Sequence, residues 1–202
     1  EQRSGRKTPD FRPFTTTEEE VFTPKEDAVQ SSVRFGKLLF NKRHPDFPGM
    51  QVVNTILGGY FGSRLMKKVR EEKGYTYGIF SLMAPLVNEG YLTIASEVGS
   101  TVCRKAIEAI YEEIKKLRDE KVGQEELDMV RNYMMGQMLR AFDGPLPTST
   151  TYFSLMEMGL DEDYHQRMVY TINNITPDDI RELAGKYLNE HDMVRSVSGK
   201  CE

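Results

Sequence analysis

The sequence predicts an α+β two-layer sandwich, in which helices pack on one face of a mostly antiparallel mixed sheet. Three observations indicate this fold class. Strand-like and helix-like segments occur in blocks rather than in regular βαβ alternation. Two neighbouring strands are joined by a connection short enough for an antiparallel hairpin. The helix predicted at residues 101–121 is strongly amphipathic, and the length of 202 residues is typical of one domain.

The N-terminal residues 1–27 are predicted to form a polar linker or arm, followed by a single domain over residues 28–200. The arm contains several prolines and the acidic run Glu18–Glu20 but few apolar residues. It therefore buries too little surface to order itself independently. Because the chain starts without Met and without an apolar signal segment, we expect a piece of a longer protein.

Hydrophobic spacing predicts the elements of the domain. Strands are assigned where apolar residues alternate, and helices where they recur at spacings of three and four. The predicted strands cover residues 28–40, 75–82, 90–98 and 193–198. The predicted helices cover residues 50–57, 63–73, 101–121, 124–142, 149–158, 163–173 and 176–188.

Local signals support these assignments. In the first strand, Val29, Val33 and Phe35 have the even spacing of a half-buried strand. Glycines end the two short helices, at Gly58–Gly59 and at Gly74.

The last helix carries its own start signal. Thr176 is the expected N-cap, Pro177 occupies the first turn, and Asp179 completes a capping box. We therefore expect this helix to begin at a fixed position.

The composition excludes several function classes. With 27 Lys+Arg against 31 Asp+Glu, the net charge of -4 gives no electrostatic basis for binding nucleic acid or an anionic membrane. The longest uncharged stretch, residues 74–88, is interrupted by Gly and Pro and is too short to span a bilayer. Cys103 and Cys201 are too few for a disulfide framework. We expect a soluble protein, and the sequence leaves cytoplasm and periplasm open.

No metal site is predicted within this chain. His44, His165 and His191 lack the spacing of zinc ligands on one helix turn, and each is expected at the surface or in a loop. The sequence contains neither H-E-x-x-H nor H-x-x-E-H, and it has no G-x-S-x-G elbow or P-loop. Hydrolase chemistry complete within this chain is therefore not expected.

A glycine cluster at residues 58–62 is the first candidate site. Backbone amides at a helix start attract anions, which would suggest a phosphate site. The cluster follows a helix rather than a strand, however, so a tight turn between two helices is favoured.

The second candidate site lies where the basic helix at 63–73 turns into a strand. Gly74 reverses the chain, so Arg70 and Tyr77 can converge across the turn. Strand alternation places Tyr75 and Tyr77 on one face. A guanidinium and a phenol aimed at one point can donate to a peptide carbonyl and to the oxyanion formed during hydrolysis. The alternative is structural, with Arg70 paired to a neighbouring Glu and Tyr77 packed in the sheet.

The string from Asn54 to Leu65, followed by Arg70 to Tyr77, resembles the pitrilysin/insulinase (inverzincin) family of zinc metallopeptidases. The matching patterns are N-x-x-L-G-G-x-x-x-S-R-L and R-E-x-x-G-x-x-Y, and residues 175–188 resemble the family's closing helix. The resemblance covers about residues 28–200. It implies the fold of this family and of the mitochondrial processing peptidase, whose α+β domains face one another like a clam shell. One lobe of the family holds zinc through H-x-x-E-H. Since that motif is missing, the chain resembles the opposite, C-terminal, non-zinc-binding domain.

The resemblance implies a division of roles between two lobes. Arg70 and Tyr77 would reach across to the substrate carbonyl and oxyanion at the zinc. Gly58 and Gly59 would contact substrate, as a longer glycine-rich loop does in the family's non-catalytic processing subunit. Zinc and base would come from a zinc-bearing H-x-x-E-H lobe or subunit, so no cofactor and no activity are expected in this chain alone. Residues 1–27 would correspond to the tether between lobes.

Two other functions stay open. The same fold also serves as a non-proteolytic structural or assembly subunit, and a free peptide-binding module is a third reading. The expected partners are the zinc-bearing lobe and a peptide substrate, without nucleic acid or membrane. Exposed apolar surface that normally meets the other lobe is expected to drive homodimers of the isolated chain.

Overall fold

The computed structural model describes residues 20–201, which form a five-stranded mixed sheet with helices against one face. The strand order is β1-β5-β2-β4-β3. β1 runs parallel to β5, and the other neighbouring pairs are antiparallel. The strands are β1 (Glu20–Pro24), β2 (Gln30–Leu39), β3 (Thr76–Pro85), β4 (Gly90–Gly99) and β5 (Val194–Gly199). This architecture confirms the predicted fold class.

The helices follow the predicted order, with shifted boundaries and two π-helical segments. They are α1 (Phe47–Asn54), the first π segment (Thr55–Gly59), the second π segment (Met66–Glu72), α2 (Cys103–Asp119), α3 (Gln124–Ala141), α4 (Pro145–Met158), α5 (Tyr164–Asn174) and α6 (Pro177–Tyr187). Short 3₁₀ turns cover Ser100–Val102 and Glu190–Asp192. None of the helices described between residues 20 and 201 is long and apolar enough to cross a bilayer.

Prolines explain why two helices begin earlier than predicted. Proline occupies the first turn of both α1 and α4, where its missing N–H needs no partner. The start of α6 agrees with the prediction, since Thr176 and Asp179 form the expected capping box. Proline was therefore placed correctly at the start of α6, whereas the prolines at the starts of α1 and α4 were expected to precede their helices.

Ordered structure also begins before the predicted position. β1 lies within the segment expected to be a linker, and it pairs with β5 from Glu20 opposite Arg195 to Pro24 opposite Gly199. All five side chains of β1 are exposed, so the strand shows no hydrophobic alternation. Backbone pairing and an ion pair between Glu20 and Arg195 hold it at the sheet edge. Residues 1–19 of the expected arm lie outside the described residues.

The sheet buries one face against the helices and leaves the other open. On β2, Val33 and Phe35 are buried, whereas Leu38 on the opposite face is half exposed. Val29, expected to belong to the buried face, precedes β2 and is 85% exposed. Ser31 takes the buried position instead, because its hydroxyl donates to the carbonyl of Lys200.

A disulfide joins α2 to the end of the chain. Cys103 at the start of α2 is fully buried and is bonded to Cys201, which follows β5. The two cysteines are 98 positions apart in sequence, so nothing local in the sequence indicates the pairing. The bridge ties the end of β5, which lies between β1 and β2 in the sheet, to the start of α2.

Removing the bridge is expected to destabilise the fold. Cys201→Ser should lower the free energy of unfolding by about 2–5 kcal/mol, because the bridge no longer restricts the unfolded chain. Urea denaturation of wild type and variant, each with and without reductant, measures the loss. Reductant should lower the wild-type midpoint to that of the variant and leave the variant unchanged. Equal midpoints for the oxidised proteins would contradict this role.

A polar cluster connects the start of α1 to the end of α6. The Asp46 carboxylate accepts hydrogen bonds from Lys186 Nζ at 2.7 Å and from the Tyr187 hydroxyl at 2.6 Å. The hydrogen bond from Lys186 is the main reason that the pKa of Asp46 lies below its ordinary value, and that from Tyr187 adds to it. His44 stacks on Phe40 beside this cluster, with ring centroids 4.0 Å apart.

This cluster predicts a pH dependence of stability. Because the pKa of Asp46 is lower in the folded chain, its contribution is fully present above the unfolded pKa and is lost as pH falls through the folded value. We expect Asp46→Asn to reduce the stability difference between pH 7 and about pH 3. Urea midpoints at both pH values measure it.

The matched control is Asp143→Asn, since Asp143 is exposed and has no ion pair among residues 20–201. Its pH dependence should equal that of the wild type. An Asp46→Asn variant with the full wild-type pH dependence would show that this carboxylate does not couple protonation to folding.

Candidate functional site

A cavity of about 600 Å³ opens where the first π segment and the turn after it meet the start of β3. We call it the Tyr77 cavity. Rings and aliphatic side chains form most of its wall, and the lining also includes an ion pair in which Arg34 donates to Glu97 at 2.7 Å. Its apolar wall consists of Tyr60, Phe61, Met66, Tyr77, Ile79 and Phe80.

Arg70 lies beside this cavity, near the end of the second π segment. Its guanidinium carbon is 4.6 Å from the centre of the Phe61 ring and 5.6 Å from the centre of the Tyr77 ring. Within residues 20–201 the Arg70 side chain has no ion pair or hydrogen bond, so the predicted alternative of a Glu partner is not observed. Cation–π contacts orient the guanidinium while leaving its N–H donors for another group.

The turn at Gly74 sets the approach of Arg70 to Tyr77. Gly74 has a φ of 64°, which is the left-handed conformation that ends many helices. Its N–H donates to the Arg70 carbonyl at 3.1 Å, and the N–H of Tyr75 donates to the Val69 carbonyl at 3.0 Å. These two bonds close the second π segment and direct the chain into β3.

A register shift in β3 separates the environments of the two tyrosines. Tyr75 packs against the core, whereas the Tyr77 ring is 90% exposed and so is not packed in the sheet. The shift lies between Thr76 and Ile79 and interrupts the simple alternation that the sequence predicted. The Thr76 hydroxyl fixes it, donating to the Glu97 carbonyl at 2.6 Å and accepting from the Gly78 N–H at 3.1 Å.

Other basic side chains of the same helix are used within the fold. Arg64 makes two hydrogen bonds to the Glu126 carboxylate, at 2.8 and 2.7 Å, and these raise its pKa. Lys68 pairs with Glu72 at 3.0 Å. The Arg64 pair anchors the helix that carries Arg70 to α3. The sequence shows the basic residues of this helix as one group, because it does not reveal that Arg64 pairs with Glu126 on α3.

Gly58 and Gly59 both line the Tyr77 cavity, and packing accounts for Gly58. A Cβ at position 58 would lie 2.7 Å from the backbone nitrogen of Ser81 on β3. A hydrogen bond accompanies this close approach, because the Ser81 hydroxyl donates to the Asn54 carbonyl at 3.1 Å. The first π segment thus needs glycine in order to approach β3, and a substrate contact for either glycine stays a prediction.

Alanine substitution distinguishes packing from an open position. Gly58→Ala is expected to lower the free energy of unfolding by about 1–3 kcal/mol, because the first π segment must move away from β3. Gly78→Ala is the matched control, since a Cβ there meets no atom within 4 Å. Urea denaturation of both variants provides the test. If Gly58→Ala unfolded at the wild-type midpoint, close packing would not be the reason for this glycine.

The histidines lie away from the Tyr77 cavity. His165 is in α5 rather than in a loop, and it is partly exposed although both of its ring nitrogens are buried. Burial lowers its pKa, and its ring meets Phe142 edge to face at 5.1 Å. His191 is in an exposed 3₁₀ turn. No group of three or more His, Cys, Asp or Glu between residues 20 and 201 is arranged to hold a metal ion.

Comparison with known proteins identifies the chain as a non-catalytic domain of the metallopeptidase class. The family model described as the peptidase M16 inactive domain matches residues 2–134. The chain belongs to this family, which confirms the resemblance that the sequence motifs suggested.

The similar curated proteins are bacterial and longer than this chain. The chain is 27% identical over 124 residues to the uncharacterized zinc protease YmxG of Bacillus subtilis, covering 61% of this chain and 30% of that protein. It is 26% identical over 180 residues to the non-peptidase homolog YmxG of Helicobacter pylori, covering 85% of this chain and 40% of that protein. The chain therefore spans less than half the length of these relatives.

A solved structure shows the same fold. The crystal structure of a peptidase M16 inactive domain from Pseudomonas fluorescens superposes with a TM-score of 0.86 at 21% sequence identity. The match covers 95% of this chain and 46% of that chain. The matching family model and the names of the relatives make the chain an inactive C-terminal domain of zinc-protease-like proteins, and the solved structure shows the same fold.

Proposed function

We propose that this domain is the substrate-binding half of a zinc metalloendopeptidase and that Arg70 and Tyr77 bind the carbonyl of the peptide to be cleaved. Family membership supports a role beside a peptidase lobe. The observation that carries the proposal is the Arg70 guanidinium, which lies 5.6 Å from the centre of the exposed Tyr77 ring at the edge of a cavity.

The proposed chemistry of the pair is donation to oxygen. A guanidinium and a phenol each present N–H or O–H donors, and bonds from a charged donor are stronger than neutral ones. When the peptide carbonyl becomes tetrahedral, negative charge develops on its oxygen. Phe61 holds the Arg70 guanidinium in advance, and the Thr76 hydrogen bonds fix the backbone beside Tyr77, so both donors would stabilise this charge with little reorganisation.

Zinc and the catalytic base are assigned to a partner lobe. Residues 20–201 present no ligand set that fits zinc, so no step of the proposed mechanism uses a metal held by this chain. Since the longer relatives contain as much chain again, the partner lobe can belong to the same polypeptide or to a second subunit. The Cys103–Cys201 bridge supports an oxidising compartment such as the periplasm over the cytoplasm.

Substitution of the pair in the complete enzyme tests the proposal. Arg70→Ala and Tyr77→Phe are each expected to lower kcat/KM by about 10²–10³, because each removes a donor to the developing charge. The measurement is steady-state hydrolysis of a quenched-fluorescent peptide by the zinc-bearing lobe assembled with each variant, with zinc content determined on the same samples.

Lys67→Ala is the matched control, since Lys67 is exposed on the same basic helix and has no ion pair among residues 20–201. It should retain the wild-type kcat and KM. If Arg70→Ala and Tyr77→Phe also retained both constants, the proposed role of the pair would be wrong.

A structural or assembly role is the second candidate. Large apolar side chains along α4 are exposed, including Leu146 at 79%, Phe153 at 67% and Met156 at 78%. The Helicobacter pylori relative is described as a non-peptidase homolog. A stable complex that contains this chain and no zinc-binding subunit would favour this role over the peptidase.

A further inference from the structure

We propose that the Tyr77 cavity is a specificity pocket for a large apolar or aromatic side chain of the peptide. The pocket would receive the side chain of a residue next to the carbonyl held by Arg70 and Tyr77, so this inference rests on the proposed function. Tyr77 belongs to both sites, because its ring contacts the Arg70 guanidinium and also lines the cavity. A peptide bound at one site therefore lies against the other.

The wall of the cavity favours an uncharged side chain. Phe61 and Phe80 are more than half exposed and supply apolar surface, whereas Met66 and Ile79 line the cavity from buried positions. Burial of apolar area is the main source of affinity in such a pocket. A charged side chain placed among these rings would lose its hydration, and the Arg70 donors at the edge of the cavity are assigned to the peptide carbonyl.

Several polar groups that line the cavity already have partners within the protein. Arg34 donates from Nη1 to the carbonyls of Val33 and Ser96, both at 3.0 Å, and from Nη2 to Glu97. The hydroxyls of Ser96 and Thr76 lie 2.9 Å apart and bond to each other. Arg34, Ser96 and Thr76 are therefore engaged within the fold and do not act as free partners for a charged side chain.

The size of the cavity fits a large side chain with part of the peptide backbone. The volume of about 600 Å³ lies within the range of small-ligand sites. Glycines at positions 58, 59 and 78 contribute no side chains to its lining. At Gly78 a Cβ would meet no atom within 4 Å, so open space begins directly above the backbone.

Filling this space tests the inference. Gly78→Leu places a side chain in the cavity, and it is expected to fold because position 78 has neither a close neighbour nor a positive φ. The probes are fluorescein-labelled peptides that differ at one residue, which is Ala, Leu, Phe or Asp. Fluorescence anisotropy with the 202-residue chain measures each Kd. The wild type should bind the Leu and Phe peptides about tenfold more tightly than the Ala and Asp peptides.

Two further variants make the result specific to the cavity. Gly36→Leu is the matched control, because Gly36 is also a strand glycine with no atom near its Cβ but does not line the cavity. It should keep the wild-type preference. Phe80→Ser removes part of the apolar wall at a side chain that is already 52% exposed. It should reduce the preference even if Gly78→Leu fails to fold.

The outcomes separate this inference from the proposed function. Loss of the preference in Gly78→Leu or Phe80→Ser, with weaker binding of all four peptides by Arg70→Ala, supports both. Equal affinity for the four peptides, or tighter binding of the Asp peptide, overturns the pocket and leaves the Arg70 role standing. A preference that depends on Gly78 supports the pocket, and unchanged kcat/KM for Arg70→Ala and Tyr77→Phe in the complete enzyme would then overturn the role of the pair alone. Absence of binding to any peptide overturns the pocket.

Discussion

The close approach of the first π segment to β3 determines how the site is built. Only glycine fits at position 58, where a Cβ would lie 2.7 Å from the backbone of Ser81. With that contact made, the chain turns at Tyr60–Ser63 and places Phe61 beside Arg70. The same contact forms one wall of the Tyr77 cavity. A helix held further from the sheet would separate Phe61 from the guanidinium and open the cavity to solvent.

Most basic side chains discussed around the site form ion pairs with carboxylates of the fold, whereas Arg70 has no carboxylate partner among residues 20–201. Glu126 engages Arg64 with two hydrogen bonds, Glu72 engages Lys68, and Glu97 engages Arg34. Arg70 instead contacts the rings of Phe61 and Tyr77. Aromatic faces hold a guanidinium without using its hydrogen-bond donors, whereas a carboxylate would occupy them. The aromatic contacts therefore keep Arg70 both positioned and able to donate to a ligand.

Sequence patterns predicted the elements whose signals are local. The amphipathic stripe of α2 and the capping box at Thr176 depend on residues within one helix, and both are found in the structure. β1 was missed because an edge strand with five exposed side chains has no alternation and is held by backbone pairing. The disulfide was missed because its cysteines are 98 positions apart.

The candidate site shows the same limit of sequence reasoning. The Arg70 and Tyr77 motif was visible because both residues flank one turn. The cavity was not, since its wall combines the turn after the first π segment with side chains from β2, β3 and β4. The exposure of Tyr77 depends on the register shift in β3, which the Thr76 hydroxyl fixes through a hydrogen bond to Glu97 on β4. A pattern of alternating residues in β3 alone does not contain that information.

The two parts of the site would contribute to different steps. An apolar pocket binds a side chain equally well before and during reaction, so it increases affinity and selects the peptide. Donors aimed at the carbonyl oxygen bind more strongly as charge develops there, so they lower the barrier. Neither part generates a nucleophile, so the proposed function assigns the nucleophile to the partner lobe. A protein that only binds peptides would need the pocket alone. In such a protein, an Arg70 without a carboxylate partner among residues 20–201 would have no function.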